Sequence, residues 1–166
     1  TPDGAGAEGI SSVLIYLTIY LAMTVGSFAC VLGMRRGHVM SESISDLAGI
    51  SREKPLFAFL FAMLLFSLAG IPPLAGFFAK FYVFQAAIDA HLTWLAITGV
   101  VLSVVSAYYY LRVVKVMYFD EQGVTFEAMP VPVRITLGIT SAFVIFFFLN
   151  PGSLKAVADV ASRSLF

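Results

Sequence analysis

Residues 70–80 read Gly70-Ile71-Pro72-Pro73-Leu74-Ala75-Gly76-Phe77-Phe78-Ala79-Lys80, and this run decides what kind of chain this is. Two adjacent prolines remove two amide donors, and the first disfavours α geometry at Ile71, so a helix stops here. Yet the sequence from Pro55 to Ala90 is apolar on both sides of the stop. As one helix it would run roughly 54 Å at 1.5 Å per residue, too long for one bilayer crossing and too short for two with a turn. It therefore reads as a discontinuous helix, broken across Gly70, Pro72, Pro73 and Gly76. Carbonyls freed around Ser67, Leu68 and Ala69 need partners that lipid cannot supply, so the break must be buried in protein or line a wet cavity.

Composition points the same way. The chain is 60% hydrophobic and 12% charged, with a mean hydropathy of +0.93, whereas soluble domains average about 45–50% apolar and about 25% charged residues. The natural solvent of this chain is a bilayer. A formal net charge of zero gives no bulk attraction for nucleic acid. The single cysteine, Cys30, lies in an apolar run and reads as a small buried hydrophobe. The start, from Thr1 to Gly9, lacks an initiator methionine and a cleavable signal pattern, as expected of a fragment of a longer polypeptide.

Working outward from the break, three further stretches match the ~20 residues that cross a membrane. Residues 10–32 carry no charge, residues 92–119 confine Arg112 and Lys115 to their last turns, and residues 131–149 end at Asn150-Pro151-Gly152. With residues 55–90 as the second, the expectation is an all-α integral membrane domain of four spans over residues 1–166. In the tail, 153–166, Leu154, Val157, Val160 and Ala161 fall at helical spacing opposite Lys155, Asp159 and Arg163, the pattern of a short amphipathic helix on the membrane surface.

Basic residues orient these spans. If the broken segment crosses once, Arg35, Arg36, Arg52, Lys54, Arg112, Lys115 and Arg134 share one side, and Lys155 and Arg163 the other. The positive-inside rule then makes the two basic loops cytoplasmic and puts both ends of the chain on the opposite, periplasmic face of a multi-pass bacterial inner-membrane protein. A re-entrant hairpin would nearly erase that asymmetry, which favours the single crossing.

Lys80 is the remaining basic residue, and it stands inside a span. Either exit is roughly 10 to 14 Å away along a helix, beyond easy snorkelling, and a lysine at mid-membrane costs at least ~2.5–3.5 kcal/mol. No carboxylate in the chain is placed to offset it, so its partners are expected from water or from other parts of a larger assembly. Two readings stand: a structural pairing with an acidic neighbour, or a transport role in which Lys80 alternately takes up and releases a proton beside a broken helix. Ser67, Tyr82, Ser106, Tyr108 and His91 are candidates for a polar path. Each has a plainer alternative, in helix contact, aromatic packing or, for His91 and His38, a solvated surface position. There is no metal-ligand spacing, phosphate loop or cofactor motif, and no self-contained catalytic set.

The runs Ser67 to Tyr82 and Ser106-Ala107-Tyr108-Tyr109-Tyr110-Leu111-Arg112 together resemble the C-terminal part of the antiporter-like, proton-translocating family, most closely its subunit N branch in bacterial NADH-quinone oxidoreductase, respiratory complex I. The G-I-P-P-x-x-G-F-x-x-K-F core is shared with sodium/proton antiporter subunits; the Y-Y-Y-L-R run and Asn150-Pro151 favour subunit N. The resemblance implies that the chain covers the last four of fourteen helices and that Lys80 belongs to a midplane row of charged residues relaying protons. It further implies that translocation is coupled to NADH oxidation and quinone reduction. Neighbouring antiporter-like subunits and lipids would be its partners, and FMN, iron–sulfur clusters and quinone would sit in other subunits. A sodium/proton antiporter subunit, or a spacer subunit without transport, are the alternatives.

Overall fold

In lipid every backbone N–H and C=O must find a partner within the protein, so the apolar stretches close into helices. The structure, a computed structural model, describes residues 2–36, 39–41, 43–121, 123 and 125–164; His38 lies outside the described residues. Helix α1 (Pro2–Leu32) begins ahead of the charge-free stretch. A small antiparallel hairpin follows, β1 (Arg35–Arg36) and β2 (Val39–Met40), then a 3-10 turn, Ile44–Leu47, and the short α2 (Ile50–Glu53). The broken segment forms α3 (Pro55–Ala69) and α4 (Ala75–Asp89). After it come α5 (Thr93–Phe119), α6 (Val131–Phe146) with a 3-10 extension to Leu149, and α7 (Pro151–Arg163).

The result is an all-α membrane fold. Gly6–Leu32, Thr93–Phe119 and Val131–Leu149 are each long and apolar enough to cross. At 15 residues apiece, α3 and α4 each extend only about 22 Å, short of a ~30 Å hydrocarbon core, so they share one crossing. The break is narrower than the sequence suggests: helix resumes at Ala75, and Gly76 belongs to the first turn of α4. Leu74 is extended (φ −72, ψ 158) and serves as the N-cap position from which α4 restarts.

Hydrogen bonds fix which loops share a side. The amide of Gly49 donates to Val116 (3.1 Å), that of Gly123 to Ala48 (3.1 Å) and that of Glu127 to Arg35 (2.9 Å). Lys54 Nζ donates to the carbonyls of Phe126 (2.5 Å) and Glu127 (2.7 Å). The basic loop after α1 and the segment before α6 are therefore stitched together, as a single crossing of the broken segment requires. The start of α1, the end of α4 and α7 meet at the other side around one cavity.

Helix α1 is the hub and packs on α3, α4, α6 and α7. Its buried stripe of Ile15, Ile19, Met23 and Cys30 meets Leu64 and Leu65 of α3, Ala75 and Ala79 of α4, and Val144 and Phe147 at the end of α6. Helix α5 rests on α3 and α4 and leaves most of its apolar surface exposed. The tail folds as a helix, α7, with its apolar stripe outermost. Val157 and Val160 point outward, 66% and 73% exposed, while Ala158 and Ser162 are buried and Ser11 Oγ donates to Asp159 Oδ1 at 2.5 Å. An apolar stripe can face outward because lipid, not water, lies there. The stitching yields a prediction: Lys54→Met removes two charge-assisted bonds worth about 1.5–3 kcal/mol each, and hydrogen exchange at the Glu127 amide should speed up by about tenfold or more. Unchanged exchange would assign the hold to the backbone bonds alone.

Candidate functional site

A helix ends with four carbonyls that have no intrahelical partner, and at the end of α3 these belong to Phe66, Ser67, Leu68 and Ala69. Gly70 turns into the left-handed region (φ 88, ψ 33), and its amide reaches Phe66 O (3.1 Å) and Ser67 O (2.9 Å). The Ile71 amide adds a bond to Phe66 O at 3.0 Å. Two carbonyls remain. Lys80, one turn and a half into α4, folds back and donates to both, 3.0 Å to Leu68 O and 3.2 Å to Ala69 O.

Lys80 thus finds partners inside its own chain, which corrects the expectation that they come from water or another part of an assembly. Bonds from an ammonium to carbonyls contribute about 1.5–3 kcal/mol each, and the negative end of a helix dipole adds to them. Two such bonds offset the minimum ~2.5–3.5 kcal/mol for a lysine at mid-membrane. The sequence shows both halves of this solution, carbonyls without donors and a lysine without a partner, but a search for the lysine's partner restricted to carboxylates does not join them.

The start of α4 is served in return. Leu74 offers no side-chain cap, and the Gly76 amide donates instead to Ser67 Oγ of α3 at 2.9 Å. The Ser67 hydroxyl hydrogen goes to Met23 Sδ of α1, also 2.9 Å, and Ser67 is fully buried. The two half-helices therefore cap each other: a side chain of α4 closes α3, and a side chain of α3 opens α4. Two glycines permit the approach. A Cβ on Gly70 would stand 3.1 Å from Lys80 Cδ on a backbone already in positive φ, and one on Gly76 would fall 1.9 Å from Ser67 O. Pro72 and Pro73, joined by a cis peptide, occupy the connection between Gly70 and Leu74. Met23 was not singled out from the sequence, since a methionine in an apolar stripe gives no sign of accepting a hydrogen bond.

The other polar positions lie apart from this centre. Tyr82 lines the cavity between α1, α4 and α7, with Lys155 Nζ 5.9 Å from its ring centroid. Ser106 bonds back to Leu102 O within exposed helix, and Tyr108 is exposed and stacked edge-on against Tyr109. His91 sits exposed at the turn after α4, where its left-handed backbone (φ 60) lets the Leu92 amide reach Ala87 O at 2.8 Å. Among the described residues no hydrogen bond joins any of these to Lys80, and no group of His, Cys, Asp or Glu stands together as a metal site.

Residues 4–106 match the family described as NADH:quinone oxidoreductase/Mrp antiporter, TM. The chain belongs to this family. It is 57% identical over 159 residues to NADH-quinone oxidoreductase subunit N of Methylobacterium nodulans, covering 96% of this chain and 33% of that protein. It is 58% identical over 163 residues to the subunit N of Azorhizobium caulinodans, covering 98% and 34%. The chain spans about a third of the length of the curated relatives it matches. Among solved structures, respiratory complex I from Thermus thermophilus with bound aureothin contains a chain 28% identical to this one. It superposes with a TM-score of 0.77 over 89% of this chain and 34% of that one. The antiporter-family match takes in α1, the break and half of α5, and the subunit N relatives extend it across α6 and α7.

In this antiporter-family member, Gly76→Ala should be the most disruptive small change at the break, since the backbone of Ser67 cannot yield 1.9 Å. Ser67→Ala, which removes only the cap, should cost about 1–2 kcal/mol. Thermal unfolding of the detergent-solubilised subunit should rank them in that order, and equal midpoints for Gly76→Ala and wild type would contradict the reciprocal arrangement.

Proposed function

We propose that this chain is the part of a membrane-arm subunit of NADH-quinone oxidoreductase that carries one station of proton translocation, with Lys80 as the relay residue. The observation that carries the reading is the placement of the Lys80 ammonium on the open end of a discontinuous helix, with no carboxylate paired to it among the described residues. An ammonium has three N–H donors. Two engage Leu68 O and Ala69 O, and the third, which has no partner among the described residues, can transfer to water or a neighbouring base. When that proton leaves, the charge favoured by the negative end of α3 leaves with it, and the grip of α4 on α3 weakens. Proton occupancy and the geometry of the break are thereby linked.

The subunit N relatives and the complex I neighbour support the rest of the reading. The redox chemistry, with FMN, iron–sulfur clusters and quinone, resides in other subunits, and this chain supplies a proton step driven by it. Its partners are the other membrane subunits of the complex, including neighbouring antiporter-like subunits, and lipids. The protein resides in the bacterial inner membrane with the stitched basic loops cytoplasmic and both ends of this segment periplasmic, following the charge asymmetry. Of the candidate polar-path residues, Ser67 contributes by positioning the break; Tyr82 and His91 lie toward the periplasmic side, and Ser106 and Tyr108 toward the surface of α5.

The test uses the full-length subunit in the assembled enzyme, with proton uptake measured in inverted membrane vesicles energised by NADH. Lys80→Met should abolish the proton step of this subunit while the complex still assembles. Lys80→Arg keeps a cation for the two carbonyls but cannot release a proton near neutral pH, and should be equally inactive. Normal pumping by Lys80→Met would sink the proposal, and recovery in Lys80→Arg would reduce Lys80 to a structural cap. Uptake driven by a sodium gradient without NADH would favour the antiporter branch of the family.

A further inference from the structure

We propose that the cavity between α1, α4 and α7 binds the headgroup of a zwitterionic phospholipid bearing a primary amine, of the phosphatidylethanolamine type. The proposal stands independently of the role of Lys80.

The cavity measures about 780 Å³, inside the ~300–1,000 Å³ typical of small-molecule sites. It lies where α1 begins and α4 ends, the level of a membrane surface. Three helix faces line it, each with polar residues at i, i+3 or i+4 spacing. Glu8 comes from α1, Asp89 from α4, and Lys155 and Arg163 from α7. Asp159, between the last two, is engaged by Ser11, which pins α7 to α1 and holds the cavity open to one side. The four outer charges form no ion pair with one another, although two of each sign face the same space. Lys155 instead rests over the Tyr82 ring.

Opposite charges held around one cavity without pairing suit a ligand that itself carries both signs. The basic residues of α7 match a phosphate, and the carboxylates of Glu8 and Asp89 match an ammonium that can donate hydrogen bonds. A quaternary choline has no N–H to donate, and a purely anionic headgroup would leave the two carboxylates facing a phosphate.

The experiment places a photoreactive side chain at Gln85, which lines the cavity and is exposed, in the full-length subunit within its assembled complex. The complex is reconstituted in equal mixtures of phosphatidylethanolamine, phosphatidylcholine and phosphatidylglycerol, and the trapped molecule is identified by mass spectrometry. Phosphatidylethanolamine should be trapped over phosphatidylcholine by about tenfold, the weight of one charge-assisted hydrogen bond. Glu8→Gln with Asp89→Asn should bring that ratio near one, and Lys155→Gln with Arg163→Gln should lower trapping of all three lipids. Equal trapping in the wild type, a preference for phosphatidylglycerol, or a cross-link to a neighbouring polypeptide would each overturn the proposal. The wild-type comparison decides alone if either double variant fails to assemble.

Discussion

A helix interrupted inside a membrane exposes backbone groups that lipid cannot satisfy, and the architecture here follows from how that debt is cleared. The carbonyls at the end of α3 are taken by the Gly70 and Ile71 amides and by Lys80, and the Gly76 amide near the start of α4 is taken by Ser67. Each half-helix thus depends on a side chain of the other, so neither can settle alone. The mutual capping sets a separation of a few ångströms between the halves, which in turn requires glycine at positions 70 and 76. Because Ser67 also donates to Met23, the same arrangement fixes α1, the helix on which α3, α4, α6 and α7 converge.

This makes Lys80 a structural residue of the break whose hold depends on its charge. A carboxylate partner would hold the proton through a charge pair and bury both ions at a desolvation cost. Two carbonyls hold the ammonium by partial charges alone. The hold is strong enough to keep the side chain in place and weak enough to depend on protonation. The structural alternative drawn from the sequence was a pairing with an acidic neighbour; the partners observed are carbonyls of the break instead.

What the sequence made legible is whatever depends on neighbours along the chain. Hydropathy marks the spans, Pro72 and Pro73 mark the stop, and a lone lysine among phenylalanines marks itself. The needy carbonyls of Leu68 and Ala69 were legible too, but their match to the lysine was not, because they lie 12 and 11 residues from it and meet it only when the side chain folds back. Gly76 read as part of the break, since glycine is a poor helix former; its actual use, close approach to Ser67, depends on a neighbour that propensity does not see. The face of α7 that packs on protein is not readable from spacing either. Amphipathic spacing gives two faces, and which of them meets protein is decided by Ser11 on a helix more than a hundred residues earlier.

The two sides of the molecule differ in how their charges are used, and the difference bears on which half of the broken helix can move. At the basic side, Lys54 is spent on the Phe126 and Glu127 carbonyls directly ahead of α3, and backbone bonds tie the loop after α1 to the segment before α6. The outer end of α3 is anchored. At the other side the residues around the end of α4 line an open cavity, and Asp89 and Glu8 make no ion pair across it. If the bonds from Lys80 loosen on loss of a proton, α3 has a fixed foot, while the far end of α4 has the cavity along one side and the short turn at His91 beyond it. Displacement would then appear in α4 and be passed to α5, on which α4 packs. Whatever occupies the cavity, by filling the space beside Asp89, would set how far that motion goes.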